Sequence, residues 1–551
     1  MLQDEETNSD VMDLDEILGT FGLGKYQVSI CLLMGFVLMY SNISPLSYAI
    51  TASDLKYRCA IPECDGDNPT YRPEWLRSAV PFNGESEEPY KCRRYHLVRP
   101  NDNDTDPAYL VNGTCRPDAF DPSSVDLWCD HWVFDDNEKT IVNDFNIMCE
   151  ENKWKLTMVG TINSIGQFIG IPLAGFISDK YGRKFILIIG SVSSAVLGTA
   201  RSFTTDYFSF ILFELFDSIA SSGVYAATFV LGLELVSPKA RVTVSTLMGC
   251  FYPMGAVLMG FVAYMVLDWR IMLRILYLPG LLILSYTWYV PESMRWLQTQ
   301  NRIEEMANIL AKIAKSNGKT MPVSVKEALL NDPKSNNNQD ENVKLSCSTL
   351  MKKIFSSKEI FLRLINCSFC WTTITLVYYG LSLTSIELSG NKYLNFMLVN
   401  AIEVPAFLTS WYFMERFPRR NTQAFSFLFS GLGCILVNIT SDSHLWLKLL
   451  LFLSSKYAIT MAFNTMYVFT AEMFPTELRM SLFGITSMFG RFGSMIAPQM
   501  SLLSTYFGSW VPIMLFGIIS FIAGALAFLF PETKDQKLPD TVKQAELVGE
   551  V

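Results

Sequence analysis

Charge is scarce in this sequence. Only 18% of its 551 residues are charged, against about 25% in a soluble domain. A water-soluble fold of this size would lack the polar surface to cover itself. Histidine occurs three times, and no Cys-x-x-Cys pair falls among residues 51–154, which argues against a structural zinc site there. P-loop, His-Glu-x-x-His and Gly-x-Ser-x-Gly patterns with partners in polar segments are also missing, so covalent or metal-assisted chemistry has no carrier. The first 24 residues hold seven acids, no base and no apolar core, so no cleavable signal peptide is expected.

What the chain has is apolar sequence. Half of its residues are hydrophobic, and mean hydropathy is +0.24. A membrane-crossing helix uses about 20 residues, so a dozen use about 240 and leave room for two sizeable polar segments. Apolar spans are expected near 27–50, 155–178, 185–203, 206–235, 242–266 and 270–290, then near 359–383, 392–415, 422–440, 445–470, 480–503 and 509–530. This divides the chain into a polar start (1–26), a first helix, a long segment 51–154, helices two to six (155–290), a polar central segment 291–358, helices seven to twelve (359–531) and a polar tail (532–551). The central segment contains an amphipathic run, Arg302 to Lys315, and a polar patch, Asn331 to Lys344.

Net charge is −9; segment 51–154 contributes −10 and the first 24 residues −7, which leaves +8 for the remainder. Lysine and arginine concentrate in cytoplasmic loops. The acidic segment is therefore expected outside, and both termini and the central segment inside. Nucleic-acid binding has no support. Cys59, Cys64, Cys92, Cys115, Cys129 and Cys149 all fall in the acidic segment. Their company of only two histidines favours disulfides over a metal site, and six cysteines allow fifteen pairings. The sequons starting at Asn103 and Asn112 lie there too and are expected to carry glycans.

The chain also repeats itself. Asp179 and Glu415 are 236 residues apart, Glu234 and Glu472 are 238 apart, and Pro291 and Pro531 are 240 apart. Three near-equal offsets indicate two related six-helix halves, the organisation used by alternating-access transporters. Asp179 with Arg183, and Glu415 with Arg419, mark the turns after the second and eighth spans, where an acid and a base are placed to latch across to a neighbouring helix. Glu234 with Arg241, and Glu472 with Arg479, have i, i+7 spacing and are expected in the same cytoplasmic charge network.

These segments carry a family resemblance. Phe21-Gly22-Leu23-Gly24-Lys25-Tyr26-Gln27, the six-cysteine loop ending Phe145 to Glu150, Gly166 to Lys184, Pro291 to Leu297, Ala471 to Arg479 and Leu529 to Lys534 resemble, end to end, the organic cation and anion transporter family of the major facilitator superfamily. The resemblance implies an all-α membrane protein of twelve transmembrane helices in two pseudo-repeated six-helix bundles, with a large disulfide-rich extracellular loop. It implies a plasma-membrane carrier for small organic ions that rocks its halves about a central cavity and works as a monomer in the lipid bilayer, with no cofactor. Sodium or proton coupling stays open.

Arg491 stands in an otherwise neutral apolar stretch. A charge there is expensive unless it faces water, a partner or a substrate, and its guanidinium fork matches a carboxylate. The matching position in the family resembles that of anion and carnitine carriers. Glu403 resembles the glutamate of cation and carnitine branches, so acid and base in one cavity suit a zwitterion such as a carnitine, betaine or amino acid. The two could also simply pair with each other. Tyr225, Tyr252, Tyr378, Tyr379, Phe463 and Tyr467 resemble the family's cavity positions, and their rings would attract ammonium groups by about 0.5–2 kcal/mol each. Gln167 and Lys456 are further polar candidates. A polyspecific organic-cation carrier and a non-transporting solute sensor are the alternatives.

Overall fold

The computed structural model describes residues 18–546, apart from 20–21, 23, 83–87, 98–109, 112–113, 117–119, 123–126, 136–137, 320–356, 389, 442, 476–477, 535, 537–538 and 540–541. Asn103, Asn112 and the patch from Asn331 to Lys344 lie outside the described residues.

Among the described residues, eleven helices are long and apolar enough to cross a membrane. In order they are Lys25–Thr51, Glu150–Tyr181, Arg183–Arg201, Tyr207–Glu234, Thr243–Val266, Trp269–Tyr289, Lys358–Thr384, Lys392–Arg416, Arg419–Ile439, Leu445–Met473 and Trp510–Ala527. The remaining expected span is Arg479–Ile496, continued by Gln499–Phe507. Arg479, Arg491 and three glycines lower its hydropathy, but it packs along the second and seventh spans like its neighbours. Counting it as the eleventh gives six spans on each side of the central segment. Large apolar side chains such as Phe176, Phe208, Trp288 and Trp446 are turned outwards, as bilayer-facing residues are.

The departure from an all-helical chain is the loop after the first span. Tyr57–Cys59 pairs antiparallel with Trp132–Phe134, and three two-residue ladders follow between Arg93–Arg94 and Leu127–Trp128, His96–Leu97 and Phe120–Asp121, and Leu110–Val111 and Thr114–Cys115. Strands this short are marginal alone. Disulfides Cys59–Cys129 and Cys64–Cys115 staple them, and Cys92–Cys149 ties the module to the foot of the second span. Arg58 is fully buried there, bound to Asp65 through both carboxylate oxygens at 2.6 and 2.8 Å.

The amphipathic run of the central segment forms the helix Ile303–Ser316, burying Met306, Ala307, Leu310, Ile313 and Ala314. Beyond its end, Asn317 donates to Gln27 at 2.8 Å and so ties the central segment to the foot of the first span.

Two crossings position the interior. A Cβ at Gly166 would run into Ser218, so the second and fourth spans touch backbone to backbone; a Cβ at Gly493 would run into the Thr372 carbonyl, which draws the eleventh span onto the seventh. Between halves, the second and eleventh spans are joined by Thr157 to Gln499 at 3.2 Å, Gln499 to Thr161 at 2.7 Å, Thr161 to the Met495 carbonyl at 3.2 Å and Ser164 to the Ser494 carbonyl at 3.0 Å. These contacts lie towards the face that carries the cysteine loop. On that face Lys392 of the second half also meets Glu138 of the loop at 2.5 Å.

Candidate functional site

At the face opposite the loop, the two halves build the same device twice. The Glu292 carboxylate accepts from the backbone N–H of Arg183 and Lys184 at 3.0 and 3.1 Å, and from Ser293 at 2.9 Å. Glu532 accepts from Arg419 and Arg420 at 2.8 and 3.1 Å, and from Thr533 at 3.1 Å. Each acid thus closes the N-terminus of an earlier helix of its own half, Arg183–Arg201 or Arg419–Ile439, where free N–H groups and the helix dipole favour a negative charge. Burial pushes the Glu292 carboxyl above its ordinary range, although those three N–H groups oppose the shift. Glu234 accepts from the Ser293 hydroxyl, and Glu472 from Thr533 at 2.7 Å. The sequence shows Glu292 and Glu532 only as markers of the repeat; their capping role needed the fold.

Several expected charge contacts are rearranged. Asp179 pairs with Arg183 in the next turn, at 3.3 Å, rather than reaching a more distant helix. Glu415 is exposed. The i, i+7 spacing of Glu234 and Arg241 is not helical, because one helix ends at Glu234 and another begins at Pro238. Likewise one helix ends at Met473 and the next begins at Arg479. Glu472 instead meets Arg419 at 3.0 Å, and Arg479 donates to the Phe474 carbonyl at 3.3 Å.

In the second half, Glu403 and Lys456 are both fully buried and form an ion pair at 2.8 Å. Tyr378 donates to Glu403 at 2.7 Å, while Lys456 donates to Ser382 at 2.8 Å and to the Tyr378 carbonyl at 3.0 Å. The ammonium also lies 3.4 Å from the Tyr378 ring centroid. Glu403 and Arg491 therefore do not pair with each other. Glu403 and Lys456 neutralise one another, with the remaining donors of the ammonium satisfied locally.

Arg491 has a different neighbour. Its Nη1 donates to Gln167 Oε1, across the interface between halves, at 3.1 Å. Gln167 in turn donates to Asn163 at 2.8 Å. Arg491 is partly exposed. Around these groups stand two sets of rings. Tyr225 packs edge-on to Tyr252 at 5.0 Å in the first half. In the second half Tyr378 contacts Tyr379 and Phe463 at 5.2 Å each, and Phe463 contacts Tyr467 at 5.4 Å. Trp371, edge-on to Tyr467 at 4.7 Å, belongs to this set and was not singled out from sequence, because an indole in an apolar span has the pattern of ordinary packing.

A second polar cluster lies in the first half. Arg201, Glu214 and Asp217 are fully buried. Arg201 touches Glu214 and lies 3.9 Å from Asp217. These residues also escaped the sequence reading, although charges within the third and fourth spans invited the same question as Arg491 did.

On the loop face a cavity of about 1110 Å³ opens between the cysteine module and both halves, lined among others by Tyr48, Asp54, Lys153, Glu387 and Lys392. Burial pushes the Glu387 carboxyl upward, opposed by the Ser501 hydroxyl. Burial acts the same way on Asp54, but Lys91 and Lys153 outweigh it and hold that carboxyl below its ordinary range.

A family model described as Major Facilitator Superfamily matches residues 140–498 and 396–548. Organic cation/carnitine transporter 2 of Homo sapiens is 29% identical over 97% of this chain and 94% of its own length. Solute carrier family 22 member 4 of Mus musculus is 29% identical over 97% of this chain and 95% of its own. Among solved structures, the inward open conformation of the xylose transporter XylE from E. coli aligns with a TM-score of 0.56 at 17% identity, covering 72% of this chain and 92% of that one. The chain belongs to the Major Facilitator Superfamily, a family of multi-pass membrane transporters rather than enzymes.

Proposed function

We propose that this transporter carries small organic zwitterions or anions, of carnitine, betaine or amino-acid type, across the plasma membrane by alternating access. The observation that carries the proposal is the different company of the two expected anchors. Glu403 is neutralised by Lys456, whereas Arg491 meets the neutral amide of Gln167 and, among the described residues, forms no ion pair. The guanidinium is then the group available to a substrate carboxylate, through a two-pronged charge-assisted contact. The rings of Tyr225, Tyr252, Tyr379, Phe463 and Tyr467 offer an ammonium group apolar, electron-rich faces.

Sidedness follows the charge distribution: the acidic cysteine loop outside, the basic turns and both termini in the cytoplasm. The halves meet through the second and eleventh spans towards the loop side and through the fifth and eighth spans, most closely along Lys392–Ala401 of the eighth, while the contacts of Glu292 and Glu532 given above lie within one half. That arrangement suits an inward-facing member of the transport cycle.

An organic-cation carrier is the second reading, favoured by the acid Glu403 standing among Tyr378 and Phe463; Arg491 opposes it. Uptake of labelled carnitine, β-alanine, a quaternary ammonium and a dicarboxylate into cells expressing the chain, with and without sodium, separates them. Zwitterion or dicarboxylate uptake without the quaternary ammonium is expected. Uptake of the quaternary ammonium alone contradicts the role given to Arg491.

A further inference from the structure

We infer that Asp217, with Glu214 and Arg201, forms a proton-binding site coupled to Arg491, so that substrate carboxylate and proton are loaded together. The inference rests on Arg491 holding that carboxylate, and begins from a charge imbalance. Two carboxylates, Glu214 and Asp217, share a fully buried pocket with one guanidinium, Arg201. The titratable groups facing them from other spans are tyrosines. Tyr277 donates to Asp217 at 2.6 Å, and Tyr40 packs edge-on against Tyr277 at 6.3 Å. Tyrosine ordinarily ionises near pH 10, about three units above neutrality, so neither ring supplies a positive charge. The remaining contacts are neutral: Ser194 donates to Asp217 at 2.5 Å, Asn163 to Glu214 at 2.7 Å, and Arg201 donates to Ser47 at 2.9 Å. One negative charge is left over, and an uncompensated buried charge inside a membrane span is costly.

On the sixth span Arg270 is engaged by Asp144 and Arg274 donates to Ser202, the neighbour of Arg201; the cation reached from the two carboxylates through side-chain hydrogen bonds is Arg491. Asn163 bridges to Gln167 at 2.8 Å, and Gln167 accepts from Arg491 at 3.1 Å. Glu214, Asn163, Gln167 and Arg491 thus form one hydrogen-bonded chain across the interface between halves. Without substrate, the guanidinium balances the cluster through this chain. A carboxylate on Arg491 takes up that positive charge and leaves the cluster one charge negative. A proton from the outer solution then forms an O–H bond with Asp217, the acid not in direct contact with Arg201. The same bond breaks to the inner solution when the substrate leaves. Solute and proton therefore move in the same direction.

The test uses the full chain in liposomes, with whichever probe of the uptake panel it carries and a pH dye in the outer solution. Adding the solute outside should make the outer solution more alkaline. Acidifying the outside by one unit should raise accumulation about tenfold for one-to-one coupling, and a protonophore should abolish the gain. Asp217→Asn should keep labelled-for-unlabelled exchange while its accumulation ratio falls to one and its pH response flattens. A wild-type chain that accumulates its zwitterion without moving protons overturns the coupling but leaves Arg491 as the anchor. Uptake of the quaternary ammonium alone overturns both. Gradient-driven accumulation by Asp217→Asn also overturns the assignment, and if that variant fails to reach the membrane the wild-type proton flux decides.

Discussion

The two halves agree at the ends opposite the cysteine loop and differ in their interiors. At the ends, Glu292 and Glu532 cap equivalent helices, and Glu234 and Glu472 accept from the hydroxyls that follow those caps. Inside, the second half cancels Glu403 against Lys456 one to one, whereas the first half sets two carboxylates against Arg201. The repeated ends form a common frame, which the proposed alternating-access cycle would move as two units. On the proposed reading, the unlike interiors leave one guanidinium, Arg491, for a ligand, and one excess negative charge beyond Gln167 and Asn163. A symmetric frame around an asymmetric site teaches where to expect function: at the positions the repeat does not share.

Breaking the neutral pair should have the largest effect. Glu403→Gln strands the Lys456 ammonium in an apolar interior, which costs about 3–5 kcal/mol, and surface delivery should collapse. The double change Glu403→Gln with Lys456→Met removes both charges and should recover most delivery; a double variant no better than the single one contradicts a self-contained pair. Next come the loop staples. Cys92→Ser with Cys149→Ser should cost about 2–5 kcal/mol and reduce the amount of protein at the surface, while molecules that arrive keep their substrate preference. A changed preference would mean that the loop shapes the cavity. Smaller still, Glu292→Ala and Glu532→Ala each remove a helix-end acceptor worth about 0.5–2 kcal/mol. If the frame is symmetric, both should shift cysteine accessibility on the side opposite the loop in the same direction; opposite shifts would break the equivalence. The smallest effect concerns Asp54, whose depressed carboxyl stabilises the folded loop above the ordinary aspartate value near 4 and loses that contribution as pH falls further. Protease resistance of the loop should therefore be flat between pH 5 and 8 and decline below about 4.

Much of the frame was legible in the sequence. Spans of 18 residues or more announce themselves through apolar composition, and the paired motifs fix the duplication because acid, base and proline recur at offsets that chance does not produce. Arg491 was legible for the same reason in reverse, as a charge where none is affordable. The partner of Glu403 was not. Lys456 lies 53 positions away on another span, and only helix packing brings the two within 2.8 Å. The break between Glu234 and Pro238 turned an apparent helical spacing into a contact across a turn. The loop's ladders are two or three residues long, too short to show an alternating pattern, and its disulfide pairing depends on them. Glu214 and Asp217 were visible as intramembrane acids at i, i+3, but their meaning lies in the single arginine that faces both.

The central claim is that Arg491 is the charge offered to the substrate. The direct measurement is uptake of labelled β-alanine and of a quaternary ammonium by Arg491→Ala and wild-type protein, normalised to protein at the cell surface. Loss of a charge-assisted contact of about 1.5–3 kcal/mol should lower β-alanine uptake by about tenfold to a hundredfold with delivery intact. Undiminished β-alanine uptake by the variant would contradict it.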